Sequence, residues 1–145
     1  MDWNNKVQVL KKIEDDCYSY TNVSKKLKED KDVILAAVRQ DGNMLEFMSE
    51  KIWRDKEVVL AAVKQDGKSL FFVSDIYEDD KEVIMGAIEN FDEAFMFASD
   101  RLRKDRDVLN LMKKHFCKRG EKSAYIEAIF NEAKELLSQY EANDV

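Results

Sequence analysis

Few residues in this 145-residue chain can do covalent or metal chemistry, and most of those recur. Its one histidine, His115, stands two positions before Cys117, while the other cysteine, Cys17, lies far off in sequence. A His-x-Cys pair supplies two ligands where a stable zinc site takes four. No second cluster completes it, so no metal or other cofactor is expected. Serine is the next candidate nucleophile, but Ser24, Ser49, Ser74 and Ser99 recur every 25 residues. Four equivalent serines describe a structural hydroxyl bonded to backbone near the end of a helix, not a nucleophile. Asp30, Asp55, Asp80 and Asp105 recur at the same period, each opening an apolar-periodic run. That is the placement of a helix N-cap, not of an acid/base pair. The four glycines, Gly42, Gly67, Gly86 and Gly120, form no phosphate-cradling loop. The chain reads as non-enzymatic.

What remains is surface chemistry. Net charge is −6, unevenly spread: residues 101–122 hold nine Lys/Arg against three Asp/Glu. Within that basic end, Lys113, Lys114, Lys118 and Arg119 are candidate contacts for phosphate anions. Cations near a helix C-terminus are also favoured by the helix dipole, with Gly120 as a natural stop. The rest of the chain is acidic.

The elements that position these residues follow from a repeat. Residues 30–54 and 55–79 share 13 of 25 positions without a gap, and 80–104 is a third copy. A degenerate copy covers about 5–29, a partial one 105–120. Such a period signals stacked units, each burying its apolar stripe against its neighbours. In the copy at 30–54, Val33, Ile34, Ala37 and Val38 form one helical stripe. Asp41-Gly42 ends that helix, glycine taking the left-handed position after it. Met44, Leu45, Met48 and Ile52 form a second stripe, with Phe47 beside it. Each unit is therefore expected as two helices of about ten residues joined by tight turns. Residues 123–140, with Ile126, Ile129, Phe130, Ala133, Leu136, Leu137 and Tyr140 at helical spacing, predict one longer helix covering the end of the stack. The fold class is all-α: short helical hairpin repeats in a small solenoid or compact bundle.

Comparing the copies separates core from surface. Three columns are apolar throughout: Tyr20/Leu45/Leu70/Phe95, Leu27/Ile52/Tyr77/Leu102 and Ile13/Val38/Val63/Ile88. Four residues are apolar where equivalent positions are polar or charged. Trp53 matches Lys28, Glu78 and Arg103; Phe71 matches Thr21 and Glu46. Ile76 matches Lys26, Lys51 and Arg101; Phe91 matches Asp16, Asp41 and Asp66. If the polar copies face water, so do these four. Exposed aromatics in a cluster mark partner surfaces.

No run approaches 18 consecutive apolar residues, so no membrane span is expected. The start, MDWNNKVQVL, lacks the basic-then-apolar pattern of a signal peptide. Two unpaired cysteines fit a reducing compartment, hence a cytoplasmic protein.

The phrase DKEVVLAAVKQDGKSLFFVS resembles the repeat family called domain of unknown function 4116. Asp55, Lys56, Glu57, Val58, Ala61, Ala62, Val63, Gly67, Leu70 and Ser74 match its pattern. In the copy at 80–104, Asp92 stands in place of the turn glycine. The resemblance covers about residues 30–110 and implies a helical repeat of microbial proteins without an established activity. It supplies no catalytic residues.

The expected function is a protein-binding module, a monomer or weak homo-oligomer. Its small size and acidic body would suit an inhibitor seated in the basic channel of a nucleic-acid enzyme, such as a CRISPR nuclease. The alternatives are a nucleic-acid-binding protein using residues 101–122 and a homo-oligomeric structural repeat protein.

Overall fold

The structure, a computed structural model, describes residues 1–118 and 124–143. All regular elements among them are helical. The first unit contains α1 (Lys6–Asp15), the 3-10 helix η1 (Cys17–Asn22) and the single-turn α2 (Lys25–Lys28). The next three repeat that order as α3 (Lys31–Gln40), η2 (Gly42–Phe47), α4 (Glu50–Trp53); α5 (Lys56–Gln65), η3 (Gly67–Phe72), α6 (Ser74–Tyr77); and α7 (Lys81–Ile88), η4 (Asp92–Phe97), α8 (Asp100–Arg103). Helices α9 (Arg106–Lys118) and α10 (Ala124–Asn143) complete the chain. The long helices α1, α3, α5, α7 and α9 pack side by side in chain order, the 3-10 helices do the same, and α10 packs along α9.

Local chemistry starts each helix. The Asp30 side chain accepts from the amides of Asp32 and Val33, Asp55 from Glu57, and Asp80 from Glu82 and Val83. These bonds satisfy donors that the first helical turn leaves free. A second aspartate set starts the 3-10 helices: Asp16, Asp41 and Asp66 accept from Tyr18, Asn43 and Lys68.

The second half of each unit departs from the expected ten-residue helix. It is a six-residue 3-10 helix followed by one α-helical turn, with Met48 (φ −102°, ψ 158°) and Ser49 (φ −76°, ψ 157°) extended between them. The Asp41 carboxylate accepts the Asn43 amide at its start, and 3-10 runs stay short. The recurrent serines consequently stand at the start of a turn, not near the end of a helix. Ser99 accepts from the Leu102 amide at 3.3 Å, whereas Ser24 and Ser49 make no capping bond.

The glycines also act differently from expectation: among the described residues none has positive φ. A Cβ on Gly42 would fall within 3 Å of the Ala62 carbonyl oxygen, and one on Gly67 within 3 Å of the Ala87 carbonyl oxygen. Glycine here permits close approach between a 3-10 helix and the next unit's long helix. Gly86 differs, since its added Cβ would meet only Val63 Cγ2 at 3.5 Å and Lys64 Cγ at 3.8 Å. It lies inside α7, where the two preceding copies carry Ala36 and Ala61. Gly86→Ala is therefore expected to stabilise the protein by about 0.5–1 kcal/mol, read as a raised midpoint in urea.

All twelve residues of the three apolar columns are buried. In α10, Ala133 and Leu137 are buried, Ile129 and Leu136 partly so, and the Tyr140 hydroxyl donates to the Lys104 carbonyl at 2.7 Å. The Ile126 and Phe130 side chains lie outside the described residues.

Two polar ladders join successive units. Lys6 pairs with Asp30 (2.8 Å) and Asp32 (2.6 Å), Lys31 with Asp55 (3.0 Å) and Glu57 (2.6 Å). Lys56 pairs with Asp80 (2.8 Å) and Glu82 (3.1 Å), Lys81 with Asp105 (2.8 Å) and Asp107 (2.6 Å). On the opposite ends of the long helices runs an amide ladder. Gln40 Nε2 donates to the Ile13 carbonyl at 2.7 Å and Gln65 Nε2 to the Gln40 carbonyl at 2.9 Å. Asn90 Nδ2 donates to the Val63 and Lys64 carbonyls at 3.2 and 3.1 Å. Gln65 Oε1 accepts the Gly42 amide at 2.6 Å, and Asn90 Oδ1 accepts that of Gly67.

The lysine ladder makes stability pH-dependent. Its hydrogen bond from Lys6 holds the Asp30 carboxyl below the ordinary 3.8. At Asp55, Asp80 and Asp105 partial burial opposes ionisation, but the lysine and amide hydrogen bonds outweigh it, and these carboxyls are lowered too. A carboxyl more acidic folded than unfolded stabilises fully above its unfolded value and loses that contribution as pH falls through the folded one. The melting temperature should thus hold between about pH 5 and 7 and fall below about pH 4. Asp80→Asn, which keeps an N-cap oxygen, should lower the plateau and make the acid-side fall shallower.

Candidate partner-binding surface

The structure brings three of the four singled-out residues around one groove and sets the fourth, Phe91, against one of them. Trp53 at the end of α4, Phe71 in η3 and Ile76 in α6 line one groove of about 550 Å³, together with Phe72, Val73 and the charged Glu50, Arg54 and Asp75. Phe91, just before η4, does not line the groove but packs against Phe71 from the next unit, its ring centroid 5.8 Å away. Phe71 also meets Phe97 edge-on at 4.8 Å.

The four differ in exposure. Phe71 is 56% exposed and Ile76 36%. Phe91 and Trp53 are partly buried against the core. The Trp53 indole N–H donates to the Leu45 carbonyl at 2.8 Å, so the ring serves its own unit as well as the groove. Equivalent residues play a similar part with other chemistry: Lys28 Nζ donates to the Thr21 carbonyl at 2.7 Å, and Arg103 donates to the Met96 and Ala98 carbonyls at 2.6 and 2.9 Å. In these three copies the position supplies a donor to carbonyls at or just past the end of a 3-10 helix; the fourth copy carries Glu78 there.

Comparison of the copies passed over several apolar neighbours. Met96, equivalent to Phe71, is 40% exposed, and Phe47 is 47% exposed beside Tyr18, their rings 6.1 Å apart and edge-on. Phe47, Phe72 and Phe97 form a column apolar in three copies, which by itself suggests core.

The basic end is less available than its sequence suggests. Arg101 Nε lies 3.0 Å from Asp79 Oδ1, and Arg103 is held by the carbonyls above. Lys113 and Lys114 are exposed, with Lys113 in a shallow groove that also contains Glu135 and Glu141. Arg119 and Gly120 lie outside the described residues, as do the side chains of Lys118 and Cys117. His115 occupies the register of Gln65 and Asn90; its Nε2 makes no hydrogen bond and lies 3.6 Å from Glu89 Oε2. Among the described residues no three His, Cys, Asp or Glu side chains come together as a metal site. None of their helices is long and apolar enough to cross a membrane.

Stacked 25-residue helical units, tied by lysine and amide ladders and offering an aromatic groove, define a helical repeat protein. Three matches to the domain of unknown function (DUF4116) cover residues 8–54, 34–78 and 80–114, and the chain belongs to that family. No curated protein and no solved structure matches it.

Proposed function

We propose that the chain is a non-enzymatic protein-binding module whose partner engages the aromatic face of η3 and α6. One observation carries this reading: Phe71 faces water while Phe91 and Phe97 fix its ring, inside a groove also lined by Trp53 and Ile76. An apolar side chain held in place yet exposed loses little conformational freedom on binding and gains full burial, as interface hot spots do. The nucleic-acid alternative is weaker, because Glu135 and Glu141 balance Lys113 and Lys134 in the groove they share and Arg101 and Arg103 are already bonded. An acidic binder of this size suits the basic channel of a nucleic-acid enzyme, a CRISPR nuclease among them. Binding that weakens as salt rises is expected of such a pair, and salt-insensitive binding would contradict it.

Site-specific photocrosslinking tests the location. A benzophenone amino acid at position 71 should form a protein adduct in lysate of the native host, and the same group at position 113 should not. An adduct from position 113 alone would move the surface to the basic end.

A further inference from the structure

We infer that the occupant of the Trp53–Phe71–Ile76 groove is a basic peptide segment, a large apolar anchor flanked by Lys or Arg; this rests on the protein-binding reading above. Trp53, Phe71, Phe72, Val73 and Ile76 line the groove together with two carboxylates, Glu50 and Asp75, and one cation, Arg54. The two segments that carry these residues, 46–54 and 71–79, hold five carboxylates (Glu46, Glu50, Asp75, Glu78, Asp79) against two cations, Lys51 and Arg54. Both cations are engaged, Lys51 with Glu29 at 3.0 Å and Arg54 with Glu50 at 2.7 Å. Asp79 is taken by Arg101. Asp75 lines the groove and is exposed; Glu46 and Glu78, on the same two segments, are exposed as well. The Arg54–Glu50 pair is solvent-exposed on both sides, and such pairs are weak enough to be exchanged for a partner's cation.

The same charges argue against a second copy as the occupant. A two-fold interface sets a patch against itself, so these carboxylates would face carboxylates. Like charges held together oppose association, whereas Lys or Arg beside an apolar anchor meets both the apolar lining and the carboxylates.

Random peptides displayed on phage, selected on the wild-type protein and counter-selected on Phe71→Ser, test this directly. Survivors should carry a large apolar residue and at least roughly threefold more Lys and Arg than Asp and Glu. A selected peptide should bind Glu50→Gln/Asp75→Asn about fivefold more weakly than wild type. Survivors without a basic bias, survivors that are acidic, or none dependent on Phe71 would overturn the inference. The protein-binding reading fails separately: it falls if crosslinking from position 71 captures no protein, whatever the peptides show.

Discussion

Gly67→Ala lowers stability by about 3 kcal/mol, the upper end of the usual range for overpacking. The added methyl would lie within 3 Å of the Ala87 carbonyl oxygen, Asn90 Oδ1 and Phe91 Cβ at once. The carbonyl oxygen is backbone at the end of α7 and cannot rotate away. The Asn90 amide cannot yield freely either, since it accepts the Gly67 amide and donates to the Val63 and Lys64 carbonyls. Relief requires η3 and α7 to separate, which breaks the joint between two units. For a chain of this size the melting temperature should fall by about 10 °C. The Gly86→Ala substitution shifts it the opposite way, so the pair separates contact geometry from any general effect of adding a methyl. A Gly67→Ala protein melting like wild type would show that the units are not seated as closely as described.

Phe71→Ser combined with Ile76→Ser weakens partner binding by about 100-fold, roughly the loss of one strong hot spot. Both side chains already face water, so their removal opens no core cavity. The cost to folding is about 1 kcal/mol, mainly from the ring contacts of Phe71 with Phe91 and Phe97. Calorimetric titration with the captured partner, alongside thermal melts, would show the large change in affinity beside the small change in stability. Trp53 is a poorer target: removing it also takes away one of the two hydrogen bonds to the Leu45 carbonyl and packing against the core, so folding and binding would fall together.

Much of the fold is legible because the repeat supplies its own comparison. Positions apolar in every copy, such as Ile13, Val38, Val63 and Ile88, are buried without exception. Asp30 and its equivalents announce helix starts through a bond made within a few residues, and local bonds leave local signatures. Features depending on the next unit were harder to read. The phrase Asp-Gly after Gln65 resembles a helix stop, yet the glycine answers to a carbonyl twenty positions on, at Ala87. The lysine ladder needs the stacking register before Lys56 can be placed beside Asp80. The break at Met48–Ser49 was hidden because Leu45, Met48 and Ile52 keep helical spacing across an extended step. At the candidate surface, comparison of the copies singled out Trp53, Phe71, Ile76 and Phe91, of which Phe71 and Ile76 are exposed and the other two partly buried. It missed Phe47 and Phe97, whose column is apolar in neighbouring copies.

The most direct test of the partner-binding claim is affinity capture from nuclease-treated lysate of the native host with three baits: wild type, Phe71→Ser/Ile76→Ser and Lys113→Glu/Lys114→Glu. A protein recovered with the wild type and the lysine variant, and lost with the Phe71/Ile76 variant, is the predicted result. Recovery that survives loss of Phe71 and Ile76 but not the lysine changes would contradict it and place the partner on the basic end.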